Sequence, residues 1–333
     1  MKIVIFEAEE WEAQACRALS GQNEIECVKG RLTEENAADY RHAEVISTFI
    51  NSRLDVDVLR HFPELKLIAT RSTGYDHIDR AWCAAKDVEI ANVPDYGDVT
   101  VAEHSFALLL ATARHLVPAV EHTRHGNFSQ DGLRGIELRG KTLGVVGTGR
   151  IGRRAIEIAR GFGMNIVAFD VAPQPSTATD LGFVYRSFSE VLAQADIITL
   201  HLPATPETQD LISDSEFENM KSGAILINTA RGNIVNVPAM VRALSSGKIS
   251  AAGLDVLPQE PLIREEAEVF RGRPLAKENL EALVANHVLM RFPNVIVTPH
   301  IAYNTREAFA RIIDTTIENI EAFASGSPQN IVA

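Results

Sequence analysis

Short apolar runs alternate along this chain with longer stretches in which apolar residues recur at every third or fourth position. Runs at 3–6, 45–47, 67–69 and 88–92 read as strands, and 10–19, 56–61 and 79–85 carry helical spacing between them. A run that is apolar at successive positions belongs to a strand buried on both faces, so helices must cover both faces of a parallel sheet. The same alternation returns with strands at 143–146, 166–169, 196–200, 224–228, 251–256 and 295–298, and with helices near 189–194, 214–220 and 237–246. This predicts a second doubly wound sheet of six or seven strands. Between the two blocks, 99–122 is one long helical pattern that Pro118 is expected to kink. It is apolar on more than one face, which fits either a buried core helix or a crossover that also packs on a second subunit. A polar, glycine-bearing linker follows at 125–140, 263–291 reads as a charged, largely helical excursion, and an amphipathic helix at 304–324 is expected to return to the first block.

The 333 residues are enough for two domains with a core each. At 46% hydrophobic and 23% charged the composition is that of a globular protein and argues against long disorder. A net charge of -12 disfavours a nucleic-acid surface but allows a small anionic substrate met by local cations. Cys16, Cys27 and Cys83 have no metal-ligand spacing, and an odd count fits reduced thiols in a cytoplasm. The N-terminal stretch meets acidic residues by Glu7, so it reads as a first strand and not a signal peptide. No apolar run is long enough to span a membrane.

The most informative stretch is 141–170. The apolar run 143–146 is followed at once by Gly147-Thr148-Gly149-Arg150-Ile151-Gly152, then by Ala155, Ile156, Ile158, Ala159 and Phe162 at helical spacing, and by a second strand that ends on Asp170. Such glycines also occur in strand–turn–helix connections that bind nothing. Here, however, strand, glycines, helix, second strand and terminal acid fall in the order a dinucleotide site requires. Gly147 makes the tight turn, Gly149 lets backbone approach a pyrophosphate, and Gly152 lets helix and strand pack closely. Asp170, about twenty residues on, can accept hydrogen bonds from ribose hydroxyls. Its charge would oppose a 2′-phosphate, which predicts NAD and not NADP.

In an open parallel sheet, ligands lie beyond the carboxyl ends of the strands. Those ends carry Arg231, Asp255 and His300, with Glu260 in the loop past Asp255. Each has a structural alternative: a salt bridge for Arg231, an edge position for His300, a solvated loop acid for Glu260 and a turn cap for Asp255. Together they suit reduction of a 2-oxo acid. A planar guanidinium can hold the carboxylate and polarise the ketone. An imidazole can protonate the developing alkoxide, and a carboxylate can orient it. His104, on the apolar helix, reads as a core or interface residue.

With these motifs in view, the chain resembles the D-isomer-specific 2-hydroxyacid dehydrogenases along essentially its whole length. The resemblance rests on VVGTGRIG at 145–152, INTARG at 227–232, LDVLPQEP at 254–261 and NVIVTPHIA at 294–302. It implies an α/β fold of two doubly wound parallel-sheet domains. A Rossmann coenzyme domain at 99–302 would be inserted in a smaller flavodoxin-like substrate domain formed by 1–98 and 303–333. It also implies Arg231, Glu260 and His300 as catalytic residues. Gly147, Gly149, Arg150, Ile151, Gly152, Asp170, Pro203, Thr208, Thr229 and Asp255 match positions that bind NAD, with Asp255 on the nicotinamide carboxamide. Backbone N–H groups of Thr73 and Gly74, in the loop at 71–76, would meet the substrate carboxylate. VPDYG and PHIAYNT place Tyr96 and Tyr303 near the substrate, as in the D-lactate dehydrogenase branch, and the 263–291 excursion resembles that branch too. Ser72 and His77 depart from the usual glycine and asparagine, and Glu260 stands where formate dehydrogenases of this fold have glutamine.

The expected activity is therefore NADH-dependent reduction of pyruvate or a similar small 2-oxo acid, in a cytoplasmic homodimer paired through 99–122. The partners would be small 2-oxo and 2-hydroxy acids, with no metal, nucleic acid or membrane. A glyoxylate or hydroxypyruvate reductase would use the same machinery with a different pocket. A non-enzymatic, NADH-sensing corepressor-like protein would have no need of the Arg, Glu and His set.

Overall fold

The computed structural model describes residues 1–21, 23–258 and 277–332. Glu260 and the first part of the 263–291 excursion lie outside the described residues. Contacts divide the chain into two compact units, Met1–Tyr96 with Asn304–Ala333, and Gly97–Tyr303.

The first unit is built on five parallel strands, β1 (Lys2–Ile5), β2 (Glu24–Cys27), β3 (Val45–Thr48), β4 (Leu67–Thr70) and β5 (Glu89–Ala91), in the order β2-β1-β3-β4-β5, with helices α1 (Glu10–Cys16), α2 (Glu34–Ala37), α3 (Val56–Leu59) and α4 (Arg80–Ala85) between successive strands. β1, β3 and β4 are buried nearly throughout, as their successive apolar residues require. β2 was absent from the expected strands. It is an edge strand, largely exposed, and its Glu-Ile-Glu-Cys sequence has too little apolar content to stand out. The C-terminal helix (Arg306–Ala324) packs on this unit, with Ile320 buried against Ile3, Ile5, Val45 and Leu67. Beyond it, Ile331 makes an antiparallel bridge to Ala91, and buried Asn319 donates to the Asn92 carbonyl at 2.9 Å.

The second unit has seven parallel strands: β6 (Thr142–Val146), β7 (Asn165–Phe169), β8 (Val184–Tyr185), β9 (Ile197–Leu200), β10 (Ala224–Asn228), β11 (Ile249–Leu254) and β12 (Val295–Val297). Their order is β12-β11-β10-β9-β6-β7-β8, which reverses between β6 and β9. Alternate strand residues feed opposite faces. Ile198, Leu200 and Leu226 enter one core, while Ile197, Ile225 and Ile227 enter the other. β8, two residues long and at the edge, was also not expected from the pattern.

The expected kinked helix is two helices. α5 spans Asp98–Ala113 and α6 spans Leu116–Arg124, with His115 between them in the left-handed region at φ +48°. Proline excludes the carbonyl four residues before it, here that of Arg114, so the chain leaves the helix there. Pro118 then lies in the first turn of α6, where its missing N–H is not needed. Among the described residues, no helix is long and apolar enough to cross a membrane.

Candidate active site

The turn after β6 is shaped for a ligand with a bulky anionic group. Gly147 holds φ +95°, and a Cβ there would run into the His201 carbonyl oxygen. A Cβ on Gly152 would run into the Gly147 carbonyl, so the helix that begins at Arg150 (α7, Arg150–Gly161) packs directly on the turn. Gly149, the exposed N-cap of α7, differs: nothing lies within 4 Å of its would-be Cβ. Open space therefore lies over the N-terminus of a helix whose first N–H groups have no intrahelical acceptor. This cradle fits a pyrophosphate.

Asp170, just after β7, is half-buried and closes the cradle. Its Oδ2 accepts from Thr148 N (2.7 Å) and Thr148 Oγ1 (2.9 Å), and its Oδ1 accepts from Ala172 N (2.9 Å). Burial opposes its ionisation, but these bonds and the nearby Arg153 outweigh it and hold the carboxyl below its ordinary range. The charged form keeps acceptor capacity on Oδ1. Like charges 4 Å apart cost roughly 4 kcal/mol at an effective dielectric near 20, before screening, so a phosphate placed beside this carboxylate would be disfavoured. Asp170→Ala is expected to narrow the NADH-over-NADPH preference chiefly by weakening NADH, by about tenfold or more from lost charged hydrogen bonds. Dissociation constants for both coenzymes would test this, and unchanged NADH affinity would refute it.

After β10 the chain turns sharply under the control of Asn228, which is fully buried. Its Oδ1 accepts from Ala230 N (3.0 Å) and its Nδ2 donates to the Arg231 carbonyl (2.9 Å). Thr229 Oγ1 lies 2.7 Å from Ser105 Oγ, and Arg231 Nη1 donates to the Ala230 carbonyl at 2.9 Å. The next residue has to be glycine for reasons of space. A Cβ on Gly232 would overlap the Leu257 carbonyl and the Pro258 nitrogen, so the Arg231 turn abuts the segment leading toward Glu260. Asn286 Nδ2 donates to the Pro258 carbonyl at 3.0 Å and also holds that segment. Gly232→Ala should therefore displace two loops at once. We expect a loss of about 1–3 kcal/mol, as for overpacking, visible as a lowered Tm. An unchanged Tm would show that the loops yield freely.

The ends of β11 and β12 are joined through Asp255, which is 1% exposed. Its Oδ1 accepts from Thr298 Oγ1 (2.5 Å) and Ile301 N (2.9 Å), and its Oδ2 accepts from Ala302 N (2.8 Å). His104 Nε2 lies 3.4 Å from Oδ1. Burial works against the charge, yet His104, Thr298 and the two backbone N–H groups outweigh it and lower the pKa. His300 N donates to the carbonyls of Asp255 and Thr298 at 2.9 Å each, in a backbone held at φ +56°. Its ring meets that of Tyr303 edge-on, with centroids 6.4 Å apart. At the end of β9, burial lowers the His201 pKa to about 4, so this ring is neutral near pH 7. Thr208 Oγ1 donates to the Pro203 carbonyl at 2.8 Å and so ties the 203–208 loop together.

The remaining expected residues belong to the first unit. Asn92 Nδ2 donates to the Thr73 carbonyl (2.9 Å), Thr73 Oγ1 to the Val93 carbonyl (2.8 Å) and Ser72 Oγ to the Gly74 carbonyl (2.6 Å). These bonds use carbonyls and hydroxyls and fix the loop beside its N–H groups. Arg71 is fully buried behind it, 3.5 Å from Glu12 and donating to the Phe6 carbonyl at 2.7 Å. Burial lowers the pKa of His77, whose Nε2 lies 3.5 Å from Thr70 Oγ1. The Tyr96 carbonyl accepts two bonds from Arg311, at 3.1 and 2.7 Å. Asn228, Thr298, Ser105 and His104 were not among the expected site residues. Among the described residues, no group of three or more His, Cys, Asp or Glu could hold a metal ion.

The family model for the D-isomer specific 2-hydroxyacid dehydrogenase, NAD binding domain, matches residues 106–302. The glyoxylate reductase of Aeropyrum pernix is 39% identical over 88% of this chain and 83% of its own. A D-lactate dehydrogenase of Curvularia clavata is 33% identical over 98% of this chain and 94% of its own. The crystal structure of D-lactate dehydrogenase from Aquifex aeolicus, complexed with NAD and lactic acid, is 34% identical and superposes with a TM-score of 0.87, covering 98% of this chain and 96% of that one. Cradle, strand ends and relatives agree: the chain belongs to the D-isomer specific 2-hydroxyacid dehydrogenases, as an oxidoreductase that uses NAD.

Proposed function

We propose that this protein reduces pyruvate, or a 2-oxo acid of similar size, to the D-2-hydroxy acid. The observation that carries the reading is the turn after β12, where three backbone N–H groups and the Thr298 hydroxyl converge on Asp255 and fix His300 beside Tyr303. Bound NADH supplies the hydride. Arg231, a planar fork of donors, holds the carboxylate and polarises the ketone. His300 delivers the proton to the ketone oxygen, and Glu260 orients its ring. Thr73 and Gly74 receive the substrate carboxylate on their N–H groups, and Tyr96 and Tyr303 limit side-chain size. The coenzyme is held by Gly147, Gly149, Arg150, Ile151 and Gly152 at the pyrophosphate, Asp170 at the ribose, and Pro203, Thr208, Thr229 and Asp255 toward the nicotinamide.

The relative in Aeropyrum pernix supports a second reading, reduction of glyoxylate or hydroxypyruvate by the same residues. We further propose a homodimer formed through 99–122. Exposed apolar side chains at Val99 and Leu110 of α5 and at Leu116, Val117 and Val120 of α6 support it. Free thiols at Cys16, Cys27 and Cys83 support a cytoplasmic setting. The deciding experiment is NADH oxidation with pyruvate, glyoxylate, hydroxypyruvate, 2-oxobutyrate and phenylpyruvate, compared as kcat/KM. Pyruvate is expected to lead. A clear lead for glyoxylate or hydroxypyruvate would select the second reading, and no turnover with any of them would overturn both.

A further inference from the structure

Helix α5 lies on the sheet of the second unit more closely than a side chain on β11 would permit. A Cβ on Gly253 would come within 2.9 Å of Ile227 Cδ1 and 3.0 Å of Leu108 Cβ. That approach brings two consecutive helix residues to the carboxyl ends of three strands. Ser105 reaches Thr229 after β10. His104 Nε2 reaches Thr298 Oγ1 after β12 at 3.1 Å and Asp255 Oδ1 after β11 at 3.4 Å.

The proton on His104 follows from the inventory of its partners. The Thr298 hydroxyl has one proton and donates it to Asp255 Oδ1, so toward His104 it can only accept. The ionised Asp255 carboxylate has no proton to give. Both groups facing Nε2 are therefore acceptors, and Nε2 carries the hydrogen. The pair it donates to is the one that pins the N–H groups of Ile301 and Ala302. His300, directly before them, occupies a left-handed conformation that a residue with a Cβ keeps only when its surroundings over-determine it.

We propose that His104 is a positioning residue for the reaction: its Nε2–H holds the Thr298–Asp255 pair and, through it, the turn that presents His300. This rests on the reading of His300 as the proton donor. Small displacements of a reacting group can cost about a hundredfold in rate, even when their origin lies away from the chemistry. The removal of this N–H should therefore appear in kcat more than in binding.

The test compares kcat, KM for the best 2-oxo acid of the panel and NADH affinity in the parent, His104→Leu, His104→Gln and His300→Ala. His104→Leu is expected to lower kcat at least about tenfold, with KM and NADH affinity within about threefold. His104→Gln, whose amide N–H reaches a similar place, should recover most of that loss. Parental kcat in His104→Leu would overturn the proposal. An equal loss in the Leu and Gln variants would also overturn it, since packing and not the N–H would then be what matters. Should His104→Leu not fold, Thr298→Val removes the hydroxyl that His104 holds and carries the same expectation, with parental kcat again overturning the idea. Full activity in His300→Ala would sink the underlying reading. An inactive His300→Ala beside a parental His104→Leu would sink this inference alone.

Discussion

His300→Ala is expected to lower kcat for 2-oxo acid reduction by about 10²–10⁴, the usual contribution of a positioned acid–base group, with NADH affinity little changed. The two effects separate because the turn after β12 is built by backbone. His300 N, Ile301 N and Ala302 N bond to Asp255, and none of those bonds needs the imidazole. His300→Gly is the matching control. Glycine accepts φ +56° without the strain a Cβ brings, so it should fold at least as well as the alanine variant and be as inactive. Reduction consumes a proton, which makes imidazolium the active form, whereas hydroxy-acid oxidation needs the neutral ring. In the parent, kcat/KM for reduction should fall as pH rises and oxidation should rise, because the one consumes a proton and the other releases it. Both limbs should vanish from the residual activity of the alanine variant. A residual rate that kept the parent's pH dependence would assign the proton to another group.

How much of this was legible in the sequence depends on how local each signal is. The coenzyme cradle is local: strand, glycines, helix and Asp170 follow one another directly, and the glycine positions that would clash with the His201 and Gly147 carbonyls are those of the motif. The central strands were legible because burial on both faces demands successive apolar residues. The edge strands β2 and β8 were not, because exposure lets Glu24 and Glu26 occupy the one and leaves only two residues in the other. Missing β2 had a cost. The order of the first sheet reverses between β1 and β3, and without β2 that switch point, followed by Glu7 and Phe49, cannot be located from the pattern. The break at His115 is a steric effect of Pro118 on the Arg114 carbonyl four residues upstream, where a kink at the proline itself was expected. His104 and Ser105 were illegible for a different reason. Their partners Thr229, Asp255 and Thr298 are far off in sequence, and a lone polar residue on an apolar helix looks the same whether or not it meets a strand end.

Arg231→Lys tests the substrate-holding role proposed for Arg231 and separates geometry from charge. The turn that presents Arg231 is fixed by the buried Asn228 amide, which bonds to Ala230 N and to the Arg231 carbonyl, so the backbone should not shift on substitution. Lysine keeps the positive charge but replaces two aligned donors with one compact ammonium. A hydrogen bond to a charged group contributes about 1.5–3 kcal/mol, so losing one arm of the fork should lower kcat/KM by about 10- to 150-fold. The coenzyme should not register the change, because the residues proposed to bind it are held by other bonds: Asp170 by Thr148 and Ala172, and Thr208 by Pro203. NADH affinity should stay within about twofold, since no charged bond to the coenzyme is lost. The informative comparison is kcat/KM for the best 2-oxo acid in the parent, Arg231→Lys and Arg231→Ala, measured with coenzyme saturating. A lysine variant close to the parent would mean that a point charge suffices and the two-pronged role is wrong. A lysine variant as weak as the alanine variant would mean that charge alone contributes almost nothing, and that the planar fork is the whole of what Arg231 supplies.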